Sequence, residues 1–261
     1  MTPRSIASVN QLPQPVKEAL YTRFIPRMLL EQFHIPEDFR DAQGRPLLDL
    51  RCASGATDMV MALRRSATDT DPLLYVHLTD TMMGQIHILL YVVNDPDSPR
   101  FDVDRMPDGS PTEFGTLRRN IPAEQAACLA GLAPGQVHRG VRALKFSIDS
   151  FEEFVDSLGQ TMYHVEPLYY HIAIIFERYG FNYQQGRMHM EEIEKGFSPG
   201  GSLVPLLDNS SPFRQSAFAT SIRGRSWAIH DGILGEPHVQ TTMYKIVGQH
   251  AGVVTCPTSQ W

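Results

Sequence analysis

Imidazole and carboxylate side chains crowd one part of the sequence. "TMYHVEPLYYHIAIIFERYGF" carries His164, Glu166 and His171, and His189 and Glu191 follow in "GRMHMEEI". Two chemistries suit them. A carboxylate at a strand end can act as a general base, and Glu166 is the candidate. Imidazole and carboxylate together can hold zinc or iron, which makes a metal set drawn from His164, Glu166, His171 and His189 the alternative. Pro167 interrupts any continuous helix between His164 and His171, and no compact ligand motif such as HExxH occurs, so the expectation is no metal site. A carboxylate such as Glu166 ahead of a helix is also what the helix dipole favours without any catalytic role. Tyr169 and Tyr170 fall in the first turn of the same predicted helix, where Tyr170 can donate a proton or either can pack in the core.

A second group lies upstream, in "LAPGQVHRGVRAL", a turn read as opening a long helix. The first amides of a helix lack partners and sit at the positive end of its dipole, so they can hold phosphate. Gly140 would allow close approach to the backbone, with Gln136, His138, Arg139 and Arg142 adding donors. An ordinary helix-start turn with a solvated arginine has the same composition. A third group, "SIRGRSWAIHDG", brings together Arg223, Arg225, Trp227, His230 and Asp231. Arginine pairs hold carboxylate or phosphate well, and they also occur solvated on β-turns. Gly-x-Ser-x-Gly, Walker and GxGxxG patterns are absent, which sets serine hydrolase, nucleotidase and dinucleotide readings aside.

These groups need elements to position them. A helix is predicted over residues 13 to 33 with a restart at Pro26, a strand at "LLDLRC" and a helix at "GATDMVMALRR". "LLYVHLTD" and "QIHILLYVVND", joined by "TMMG", read as a hairpin, and "FDVD" as a short third strand. "AEQAACLAGL" is helical by composition. Val141, Leu144, Ile148, Phe151, Val155 and Leu158 step by three and four along one helix face, and Gly159 follows as a stop. "TMYHVEP" is a strand, Pro167 suits the first turn of the next helix, and "NYQQGRMHMEEI" alternates partly as a strand does. "SWAIHDGIL" carries an Asp-Gly hairpin signal, and "TTMYKIVG" and "GVVTC" read as strands. The fold class is therefore α/β (α+β): a mixed, mostly antiparallel sheet flanked by helices. The expected parts are a helical N-terminal extension over 1–45, a core over 46–193 and a β-rich C-terminal extension over 194–261.

Composition narrows the function classes. At 42% hydrophobic and 20% charged residues, the 261-residue chain is expected to bury a normal core. A net charge of −6 with no basic stripe argues against nucleic-acid binding. No apolar run approaches a membrane span, the start lacks the order of a signal peptide, and the three cysteines form no CxxC pair. The expectation is a soluble, cytoplasmic protein.

The phosphate-loop and apolar-helix segments resemble the Gcn5-related N-acyltransferases. That family's pyrophosphate loop, roughly Gln/Arg-x-x-Gly-x-Gly/Ala, follows a strand and starts a long helix. "PGQVHRGVRAL" is similar to it at Pro134, Arg139, Gly140 and Leu144, with Val137 and Arg142 at positions where the family has Gln/Arg and a small residue. The family's later helix, Asn-x-x-Ala-x-x-Leu-Tyr-x-x-x-Gly-Phe, is similar to "YYHIAIIFERYGF" at Ile175, Phe176, Arg178, Gly180 and Phe181. Phe176 takes the place of a tyrosine that often protonates the leaving thiolate. Over about residues 46 to 193 the resemblance implies acyl transfer from acetyl-CoA or another acyl-CoA to a small-molecule amine. It implies a donor loop at Gln136, His138, Arg139, Gly140 and Arg142, with Glu166 as base, Tyr170 as acid, and a possible homodimer. A His/Glu metal-dependent enzyme and a non-catalytic acyltransferase-like binding protein are the alternatives.

Overall fold

Period-two patterns place one side chain in two on the same face of a sheet; "LLYVHLTD" obeys that rule and "QIHILLYVVND" runs apolar. In the computed structural model they form β3 (Leu74–Asp80) and β4 (Ile86–Val93), antiparallel and joined by a tight turn in which Gly84 N–H donates to the Thr81 carbonyl. The structure describes residues 3–112, 115, 118–235, 238 and 241–261. Its other strands are β1 (Leu48–Arg51), β2 (Asp58–Leu63), β5 (Met162–Val165), β6 (Asn182–Gln185) and β7 (Thr242–Ile246). They make a seven-stranded sheet in the order β1-β2-β3-β4-β5-β7-β6. The pairs from β1 to β4 are antiparallel, and β4 pairs with β5 in parallel. Helices flank it: α1 (Ile6–Asn10), α2 (Gln14–Tyr21), α3 (Arg27–Gln32), α4 (Ile121–Leu129), α5 (Leu144–Ser157), α6 (Tyr170–Arg178), α7 (Arg187–Phe197) and α8 (Ile222–His230).

The chain divides into two compact units, each made of three segments. The first holds Met1–Asp97, Gly140–Glu166 and Tyr244–His250; the second holds Ser98–Arg139, Pro167–Met243 and Ala251–Trp261. In the first unit, α5 buries Ile148, Phe151, Phe154 and Val155. Its aromatic rings meet Phe24 (5.7 Å from Phe151, 5.2 Å from Phe154) and Tyr163 of β5 (5.0 Å from Phe151). The Asp80 carboxylate accepts from Ile6 N (2.7 Å) and Ala7 N (2.8 Å), tying the first turn of α1 to the end of β3. In the second unit Val103, Ala127, Leu132, Phe213 and Trp227 form a core, with Phe213 stacked on Trp227 at 5.0 Å and Trp227 Nε1 donating to the Leu132 carbonyl at 2.9 Å.

Several predicted elements are corrected. The helix predicted at "GATDMVMALRR" fits Met59, Val60 and Leu63, yet Met59, Met61 and Leu63 also alternate. Pairing with β1 on one side and β3 on the other makes this segment β2, with those three side chains fully buried. "FDVD" is a turn, "GVVTC" forms no strand, and the last residues of "NYQQGRMHMEEI" are helix α7, entered through Gly186 at φ +91. The Asp-Gly of "SWAIHDGIL" is no hairpin turn but a helix stop. Gly232 (φ +79) donates to Ile229 O and Ile233 N to Ala228 O, the paired bonds of a Schellman motif at the end of α8. The region after 194 thus contributes one strand, β7, among its described residues. Helix α6 begins at Tyr170, not at Pro167.

The same motif explains "ERYGF". Gly180 (φ +84) donates to Glu177 O, Phe181 N donates to Phe176 O, and the Phe176 and Phe181 rings meet at 4.8 Å. Only glycine enters the left-handed region freely, and the flanking apolar contact completes the cap.

Candidate functional site

The parallel pair β4/β5 is short. Its register is Ile86↔Tyr163, His87↔His164 and Ile88↔Val165, and it ends there although β4 runs on to Val93. β5 itself ends at Val165, so β4 runs on past the end of its parallel partner. Against β3, Leu78 pairs with Ile88 but His77 pairs with Leu90, so Leu89 is an extra residue, a bulge in β4. The carboxyl ends of parallel strands are where open sheets receive ligands.

Directly paired residues share a face of the sheet, and so do residues two apart. His87, His164 and Glu166 therefore face the same way at the point where the strands part. The Glu166 carboxylate lies 3.3 Å from His87 Nε2 without the alignment of a full hydrogen bond, which leaves that buried nitrogen with no well-formed partner. Burial lowers the His87 pKa and the Glu166 charge only partly offsets it, so the imidazole is neutral at neutral pH. His164 Nε2 sits 3.0 Å from Gln85 Oε1, and its ring is 6.3 Å from His87 and 6.5 Å from Tyr244.

The predicted phosphate loop divides between the two units. In the first unit, a Cβ placed on Gly140 would lie 3.7 Å from the Val93 carbonyl, so the chain comes back at Gly140 to the carboxyl end of β4. Arg142 follows at φ +58, a left-handed conformation costly for a residue with a side chain. Helix α5 starts only at Leu144, not within "GQVHRG". Its N-cap, Ala143, offers no side-chain acceptor and no acidic residue occupies the first turn, so its leading amides have no side-chain cap. In the second unit Gln136, His138 and Arg139 are engaged locally. Gln136 Oε1 accepts from Ala133 N (2.8 Å), His138 Nδ1 lies 3.2 Å from the Ser98 carbonyl, and Arg139 N donates to Ser98 Oγ (3.1 Å).

The remaining sequence candidates belong to the second unit. Tyr170 is fully buried, its hydroxyl beside Cys256 and Arg225 without a full hydrogen bond, and burial raises its pKa strongly. His171 is buried with Nδ1 2.8 Å from Ser226 Oγ. His189 Nε2 meets His238 Nδ1 at 3.2 Å. Among the described residues no three His, Cys, Asp or Glu side chains gather as metal ligands. Arg225 makes a buried ion pair with Glu194 and donates to the Ala219 carbonyl, a structural role. His230 Nε2 lies 3.1 Å from Glu124 Oε1, Arg119 Nε donates to Glu124 Oε2 at 2.9 Å, and Arg119 Nη1 meets Asp231 Oδ1 at 2.9 Å. Burial opposes ionisation of Glu124, but these hydrogen bonds outweigh it and hold its carboxyl below the usual range. Tyr169, His230 and Glu124 border a recess with room for about one water.

The sequence reading passed over His87, which lies inside an apolar strand; only its cross-strand pairing with His164 gives it a place beside Glu166. Among the described residues no helix is long and apolar enough to cross a membrane. No family model, curated protein or solved structure matches the chain.

Proposed function

We propose that the protein is an acyl-CoA-dependent N-acyltransferase acting on a small amine, with its site in the first unit where β4 and β5 diverge. The observation that carries this reading is the return of the chain at Gly140 to the end of β4. It gives the order strand, loop, long helix and parallel strand (β4, Gly140–Ala143, α5, β5) that a pyrophosphate loop requires, with a bulge in β4 at Leu89. Gly140 and the uncapped amides at the start of α5 would receive the pyrophosphate, and Arg142 would add charge. The thioester would then lie along the unpaired edge of β4.

The chemistry follows from the pair at the divergence. Neutral His87, with Glu166 3.3 Å away to stabilise its imidazolium, would take the proton of an incoming ammonium. The freed amine would attack the thioester carbonyl, forming the C–N bond. The C–S bond would break as the attacking nitrogen, now carrying a surplus proton, gives that proton to the departing thiolate, so an amide and coenzyme A thiol result while His87 keeps the ammonium's first proton until it passes to solvent. Glu166 is thereby the partner of the base or the base itself. Orientation of amine and thioester supplies most of the acceleration.

Calorimetry with acetyl-CoA in phosphate-free buffer tests the reading. A Cβ at position 140 meets only ordinary contact at 3.7 Å and the position is exposed, and the branched side chain of Gly140→Val would cover the backbone that the donor must approach. Wild type should bind saturably and the variant should lose about tenfold or more in affinity, the worth of one charge-assisted contact. Equal affinity in a folded Gly140→Val would contradict the assignment.

A further inference from the structure

Two arginines of the second unit meet on one turn with no carboxylate between them. Helix α4 ends at Ala130–Gly131 in a Schellman turn. Arg139 Nη2 reaches the Ala130 carbonyl at 3.5 Å, and Arg223 Nη1 lies 3.7 Å from where a side chain on Gly131 would begin. Neither guanidinium forms an ion pair with any described residue, whereas Arg119, Arg214 and Arg225 of the same unit each hold a carboxylate. The Arg223 guanidinium sits 5.1 Å over the Trp261 ring, and Trp261 is 42% exposed.

Placing two cations together without an anion is unfavourable for the protein alone. Burial and then the charge of Arg139 both lower the Arg223 pKa, the signature of an unbalanced site. His171, fully buried nearby, also feels the Arg223 charge and keeps an Nε2 without a partner. A carboxylate is satisfied by one guanidinium fork; a tetrahedral dianion has acceptors for two and neutralises both charges.

We propose that Arg139 and Arg223, over the Ala130–Gly131 turn and beside Trp261, form a binding site for phosphate or a phosphomonoester. This goes beyond the acyltransferase reading and does not rest on it. The sequence feature behind it, the arginines of "SIRGRSW", is thereby split: Arg225 serves the fold and Arg223 the ligand.

Titrating the full chain with inorganic phosphate, followed by phosphorus NMR at low ionic strength, tests the proposal. Saturable binding is expected, weakened about tenfold in Arg139→Gln and in Arg223→Gln and unchanged in Arg27→Gln, whose exposed ion pair lies elsewhere. Arg139 is exposed, so Arg139→Gln keeps the fold and should melt at or above the wild-type temperature, since like-charge repulsion is removed. Phenyl phosphate binding tighter than inorganic phosphate identifies an ester site using Trp261, and equal binding identifies free phosphate; both support the proposal. Acetate competing as well as phosphate, absence of saturation, or full affinity in the folded Arg139→Gln protein would overturn it.

Discussion

Replacing His171 with glutamine should flatten the acid side of the stability profile. His171 lies on α6, fully buried, with Nδ1 2.8 Å from Ser226 Oγ. Burial first, then the charges of Arg223 and His230, hold its imidazole down at about 3, against an ordinary 6.5. Between those values the unfolded chain binds a proton that the folded chain refuses, so stability rises with pH in that window and is lost as pH falls below 6.5. One such group sets a slope of about 1.4 kcal/mol per pH unit. From 6.5 down to 4.5, above the range where Glu124, Glu194 and Asp231 protonate, His171 alone should cost about 2 kcal/mol. His238, held at about 4 by burial and then by His189, acts in the same sense over the same window, and His87, also lowered by burial, acts in the same sense. The glutamine variant will be less stable at neutral pH, because it loses the ring packed on Tyr169, but its slope should fall by one proton's worth. Urea midpoints measured across the window, with m-values held constant, read the slope directly. A variant slope equal to wild type would refute the account of His171 as a neutral buried imidazole.

Other outcomes follow from particular residues. Gly180→Ala forces a side chain into φ +84 at the end of α6 and should destabilise by about 1–2 kcal/mol, seen by denaturant unfolding. Arg142→Gly relaxes the left-handed residue before α5 and should raise the melting temperature while weakening acetyl-CoA binding by calorimetry. Glu166→Gln should lower turnover with a small amine about a hundredfold, the scale of lost acid–base assistance, with little change in donor affinity. Phe213→Ala removes the ring stacked on Trp227 and should cost about 3–5 kcal/mol in the second unit's core.

Much of the sheet was legible because β3 alternates in consecutive residues and β1, β4, β5 and β7 are short runs rich in apolar and β-branched or aromatic residues bounded by turns. β2 was not, since Met59, Val60 and Leu63 fit a helix face as well as Met59, Met61 and Leu63 fit a strand; non-local pairing decides between them. The Asp231-Gly232 signal misled because a left-handed glycine serves a helix stop and a hairpin equally, and the buried face of α8 selects the stop. At the site, Glu166 could be singled out from its own segment. His87 could not, because its role depends on register with a strand far along the chain. The return of Gly140 to Val93 was hidden for the same reason: the intervening segment reads as turns, a short strand and a helix, and nothing local marks where it closes.

The central claim is that the divergence of β4 and β5 receives an acyl-CoA. Hydrogen exchange of the full chain with and without acetyl-CoA, in phosphate-free buffer, tests it most directly. The account predicts added protection in peptides covering Gly140–Ser147 and Ile88–Val93, where the amides at the start of α5 and along the unpaired edge of β4 would be engaged. Exchange unchanged in both segments at saturating acetyl-CoA, or protection confined to other parts of the chain, would contradict it.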